Sequence, residues 1–144
     1  MAFTLKKPSS RCRLVPATLP ASTAFAVGTL IASDAAGTGA ADVLADATNK
    51  YIKGAIVKAV ASTDSDYASV KQVMVLRDED GIWEFDVGNG TADANDFGNL
   101  IDLHTDGKSV DVTASTAKQI SVTKVKTVGA AGTGKLRGRI VLWA

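Results

Sequence analysis

At 144 residues, 46% of them hydrophobic and 22% charged, the chain has the size and composition of one folded domain. One cysteine (Cys12) and one histidine (His104) leave no disulfide framework and no Cys/His zinc set. No apolar run approaches the ~18 residues of a membrane span, and no signal-peptide apolar core follows Lys6, Lys7, Arg11 and Arg13, so a soluble domain made in the cytosol is expected.

Residues 1–24 hold all three prolines, Pro8, Pro16 and Pro20. Proline fixes φ and donates no ladder hydrogen bond, which makes this segment extended and unsuited to a central strand. Its apolar and basic side chains predict an arm that seats on a partner, with Phe3, Leu5, Arg11, Arg13, Leu14, Val15 and Leu19 as contact residues. The expectation is an arm over 1–24, mobile in the free protein, ahead of a single β domain over 25–144.

From Phe25 onward the text is strand grammar: short Val/Ile/Thr-rich alternation bounded by Gly, Asp and Asn. Phe25–Ile31 reads as a strand, Asp34–Ala41 as a small-residue loop and Asp42–Asn49 as a short helix or turn. Lys50–Ala61 and Val70–Arg77 read as strands joined by a polar loop. Asp80-Gly81 reads as a hairpin turn into Ile82–Val87. Asp106-Gly107 joins Leu100–Leu103 to Ser109–Thr113, and a glycine-rich connection joins Gln119–Val128 to Leu136–Trp143. In the last strand Leu136, Ile140 and Leu142 share one face, and Arg137, Arg139 and Val141 the other. Many short strands with frequent turns predict a mainly β fold, an antiparallel sandwich or small barrel.

Charge falls in blocks. Residues 1–33 carry four bases and no acid, residues 78–111 ten acids and one base, and residues 118–139 six bases and no acid. Two readings stand: solvated faces that fell this way, or electrostatic matching with another subunit or partner surface.

The motifs that suggest chemistry each fail on a needed residue. Gly129–Leu136 approaches a phosphate-binding loop, yet Leu136 replaces the metal-binding hydroxyl and a strand follows where a helix N-terminus is required. Asp93–Gly98 has the glycine of a calcium loop, but Phe97 and His104 occupy ligand positions. Asp78, Glu79 and Asp80 read as a solvated hairpin tip with no nucleophile or histidine in support. His104 reads as a satisfied strand-end residue, and Trp83 and Phe85 as core. Basic final strands without interleaved exposed aromatics argue against nucleic acid as partner. No catalytic residue, metal or cofactor is expected, and no membrane partner.

Residues 81–144 carry Trp83-Glu84-Phe85, Gly90-Thr91-Ala92, Asp96-Phe97-Gly98, Ile101-Asp102-Leu103, Ser109-Val110-Asp111, Ala114-Ser115-Thr116 and Lys135-Leu136-Arg137-Gly138-Arg139. This order resembles the C-terminal part of the capsid decoration (cement, or head-stabilisation) proteins of tailed bacteriophages. The resemblance implies a small β-barrel or β-tulip without catalysis, attached outside an expanded capsid lattice, often as trimers. It implies the major capsid protein and other copies of the chain as partners and the virion exterior as location. No contact residue is carried over from it. The alternative class is another virion or surface module, a tail, fibre or adhesin-like β-domain recognising protein or glycan.

Overall fold

The computed structural model describes residues 2–34 and 41–144. Its regular structure is strand, with one 3-10 turn at Ala94–Asp96. In chain order the strands are β1 (Thr4–Lys7), β2 (Arg13–Leu19), β3 (Leu30–Ala32), β4 (Val43–Leu44), β5 (Ile52–Ile56), β6 (Lys71–Arg77), β7 (Ile82–Asn89) and β8 (Thr91–Ala92). They continue with β9 (Leu100–Leu103), β10 (Ser109–Asp111), β11 (Ile120–Thr127), β12 (Gly129–Ala130) and β13 (Lys135–Ile140). No helix among the described residues is long and apolar enough to cross a membrane.

Two main sheets form. One runs β1-β7-β10-β9-β11-β13, and β13 pairs again with β7; the β7–β10 pair is parallel, where an antiparallel fold was expected, because the chain crosses over between them. The other runs β2-β6-β5-β3-β4, antiparallel throughout. A two-residue ribbon joins β8 to β12. Alternation along the strands sends side chains to opposite faces. Leu30, Ala32 and Ala55 enter a core shared with Trp83, Phe85, Ile101, Ile120 and Leu136 of the other sheet. Ile31, Ile56, Val75, Ala17 and Leu19 form a second cluster on the opposite face, covered by Phe25, Val60 and Tyr67. The five-stranded sheet is therefore apolar on both faces.

Polar groups stitch the sheets together. Fully buried Gln119 accepts from the Leu103 amide at 2.9 Å and donates to the Asp46 carbonyl at 2.7 Å. The Leu30 amide donates to Gly107 at 2.9 Å, placing the β9–β10 turn against β3. Gly107 has φ +64, and a Cβ there would meet Leu44 at 2.6 Å, so both the turn and the close approach call for glycine.

The N-terminal segment departs from expectation. It is extended, but it belongs to the folded core. β1 pairs with β7, and β2 pairs with β6 along its whole length, from Arg13↔Arg77 to Leu19↔Lys71. Residues 4–19 and 71–84 thus form one antiparallel ribbon that leaves one sheet and enters the other at a shared bend. The prolines fit because both strands end a sheet: Pro8 opens the bend, Pro16 lies in edge strand β2 and Pro20 follows it. Phe3 and Leu19 are buried, Phe3 with its ring 5.1 Å from that of Phe85.

Other boundaries shift for local reasons. The strand expected at Phe25 begins only at Leu30, because the chain turns at Gly28 (φ +81), whose carbonyl accepts from the Phe3 amide at 3.1 Å. Between 42 and 49 the turn alternative holds, with β4 first and then an Asp46 side chain accepting from the Thr48 and Asn49 amides, each at 2.7 Å. Six residues of the loop expected over Asp34–Ala41, 35–40, lie outside the described residues. Asp80-Gly81 joins no hairpin, since β6 and β7 lie in different sheets. The Asp106-Gly107 turn does join paired neighbours, β9 and β10, and the glycine-rich connection joins paired β11 and β13.

Phe3→Ala should therefore destabilise the chain by about 3–5 kcal/mol, the usual cost of emptying a buried phenylalanine site. Urea unfolding followed by tryptophan fluorescence checks it; an unchanged midpoint would return residues 1–24 to the role of a separate arm.

Candidate interaction surface

Of the seven expected contact residues, most are engaged within the chain. Phe3 and Leu19 are core, and Leu5 and Val15 pack against the two clusters from their margins. Leu14 is 52% exposed, and the register Pro16↔Met74 sets exposed Pro16 and Met74 beside it on the same face of β2 and β6. Arg11 and Arg13 bind acids of the same chain. The segment thus offers a partner one apolar rim at Leu14, Pro16 and Met74.

The acidic cluster holds the bend. Asp78 is fully buried and accepts from the Ser9 amide at 2.7 Å, from the Ser9 hydroxyl and from the Asp80 amide at 3.2 Å. Its burial is tolerated because these donors satisfy the carboxylate. Glu79 takes both guanidinium nitrogens of Arg13, each at 2.7 Å, and Arg77 Nε at 2.7 Å. Arg11 reaches Asp80 at 3.6 Å. Arg77 also donates to the Ala144 carbonyl at 2.8 Å and lies 4.9 Å over the Trp143 ring. The expected solvated hairpin tip is instead an ionic knot joining the N-terminal segment, the crossover and residues 143–144.

The remaining motif residues are also spoken for. In the glycine-rich loop the Thr133 and Gly134 amides donate to Ala130, and the Gly132 amide donates to Val87, so these N–H groups point at carbonyls. Lys135 Nζ sits 3.0 Å from Asp86, and β13 follows it. Asp93 and Asp96 form a reciprocal capping box on the 3-10 turn. Buried Asp102 accepts from the Thr116, Ala117 and Lys118 amides at 2.8–3.0 Å and shapes that loop. The His104 amide donates to Ser109 at the β9–β10 turn. Trp83 and Phe85 are core, as expected. No group of three His, Cys, Asp or Glu side chains placed to hold a metal occurs among the described residues.

The charge blocks meet inside the molecule. Bases of the first block reach Glu79, Asp80 and Glu84; bases of the last block reach Glu84 and Asp86. The second reading of the blocks, matching with another molecule, is thus not needed for these pairs. Sequence reasoning missed that Asp78 and Glu79 bind the N-terminal segment; Ser9 and Asp78 lie 69 residues apart and Arg13 and Glu79 66, which leaves no local signal.

Exposed apolar side chains mark two further places. Phe97, 67% exposed, stands on the loop braced by the capping box, where the Gly98 amide donates to Val122 at 2.9 Å. A shallow apolar recess between the sheets is lined by Leu5, Val27, Val57 and Leu76. The chain matches no protein-family model, no curated protein and no solved structure.

Two outcomes follow. Hydrogen bonding from Arg13 chiefly, with Arg77, holds the Glu79 carboxyl well below the usual carboxylate range. A carboxyl depressed on folding stabilises above its unfolded pKa and loses that contribution as pH falls. Wild type should lose stability below about pH 4.5, and Glu79→Gln should cost about 1–2 kcal/mol at neutral pH and flatten this acid limb, read by urea melts across pH. Millimolar ATP should leave the melting temperature unchanged, whereas a nucleotide at ~100 times its Kd would raise it by several degrees.

Proposed function

We propose that the chain is a non-enzymatic structural protein of a tailed-phage virion that sits on the outside of the capsid lattice and stabilises it. Its partners are the major capsid protein and other copies of itself, as a trimer. It is made in the host cytoplasm and carried on the capsid exterior.

The observation that supports this most directly is where the resembling residues lie. Residues 81–144 span β7 to β13, and every strand among them pairs within that set. The segment that resembles decoration proteins is thus one hydrogen-bonded unit, with Trp83, Phe85, Ile120 and Leu136 inside it. The return of β13 to β7 closes the run β7-β10-β9-β11-β13, which we read as a small barrel with the five-stranded sheet packed against it. The ionic knot is in keeping with a load-resisting role, since it joins distant parts of the chain by short charged contacts.

Co-sedimentation with expanded shells, assembled from the major capsid protein encoded in the same genome, tests the proposal. The expected result is saturable binding at a fixed ratio of copies to lattice sites, with shells that resist heat better once coated. Shells that neither bind the protein nor gain stability would overturn it, and capture on a glycan array instead would favour a tail, fibre or adhesin-like module.

A further inference from the structure

Lys124 on β11 stands directly across from Arg137 on β13. Like charges at opposed positions weaken an antiparallel pair. Glu84, beside Arg137 on β7, lies 3.5 Å from it but also receives Lys6 at 3.6 Å, and Asp86 is taken by Lys135. Lys124, Lys126 and Arg139 are exposed and have no acidic partner among the described residues. The solvent face of β11 and β13 therefore keeps a surplus of positive charge at some expense to its own pairing. Local rules broken in this way concentrate at functional places.

We propose that this face docks an acidic protein surface. A protein partner fits it better than a polyphosphate chain for one reason. The face has an apolar margin: Leu100 lies opposite Ser121 in the same row as Arg139, and Val141 follows Arg139 on its side of the strand. Both are over 40% exposed, at 42% and 44%. Complementarity of charge sets orientation and encounter rate. The assignment concerns this face alone and does not depend on the partner being a capsid.

Fluorescence anisotropy with a labelled glutamate–leucine copolymer and with labelled oligothymidylate, at low and near-physiological salt, tests it. The copolymer should bind more tightly than the oligonucleotide, and more weakly as salt rises. The double variant Lys124→Glu with Arg139→Glu should lose at least about tenfold in affinity for the copolymer. The same variant should melt about 1–4 °C higher, because residue 124 then opposes Arg137 with opposite charge, which separates lost docking from lost folding. Lys58→Glu with Lys108→Glu makes the same change in net charge elsewhere and should leave affinity within about twofold. Equal losses in the two double variants, no binding of the copolymer, or tighter binding of oligothymidylate would each overturn the proposal.

Discussion

Asp78 is a carboxylate with no exposed surface at the point where the chain leaves one sheet for the other, and its oxygens are filled by Ser9 and by the Asp80 amide. A buried carboxylate is stable only when its acceptor sites are occupied, so this residue draws the N-terminal bend onto the crossover. Once Ser9 is held there, β1 and β2 lie beside β7 and β6 respectively, and the ribbon of residues 4–19 against 71–84 spans both sheets. Glu79 then meets Arg13 and Arg77, and Arg77 reaches residues 143–144. The N-terminal bend, the crossover between the sheets and residues 143–144 thus meet at this local satisfaction of acids.

The same contacts bring segregated blocks of charge together in a molecule whose composition is near neutral. Folding sets Glu79, Asp80, Glu84 and Asp86 of the acidic middle against bases from both ends. A surplus of bases remains on one face. It lies where β11 and β13 bring bases side by side and only β7 supplies acids. An uneven distribution of charge of this kind favours one orientation of approach over others.

Apolar burial divides unevenly between the two sheets. The strands β7 to β13 share one large cluster, completed from outside by Phe3, Leu30, Ala32 and Ile52. The five-stranded sheet contributes to that cluster with one face and needs residues 25, 60 and 67 to cover the other. Removing the N-terminal strands would uncover both clusters at once, because Phe3 belongs to the first and Ala17 and Leu19 to the second. Exposed apolar side chains then remain at the margins, Leu14 with Met74 and the braced Phe97.

Most strands were legible in the sequence because period-two alternation and Gly/Asp/Asn boundaries are local properties. Val70–Arg77, Ile82–Val87 and the pair around Asp106-Gly107 were expected nearly where they lie, as was the inward face of Leu136 and Ile140. Partner choice was not legible. Asp80-Gly81 and Asp106-Gly107 have the same turn chemistry, yet the first changes sheets because Asp78 captures Ser9, some 69 residues away. Likewise the prolines marked a segment that could not be a central strand, and the two strands it forms do lie at edges, but an apolar side chain such as Phe3 or Leu19 carries no mark of whether it will be buried by its own chain or by another. The sequence determined which segments extend and which face of each is apolar, since those follow from neighbours in the chain. The tertiary structure alone decided which segments meet, since pairing and ion matching join residues that have no local relation.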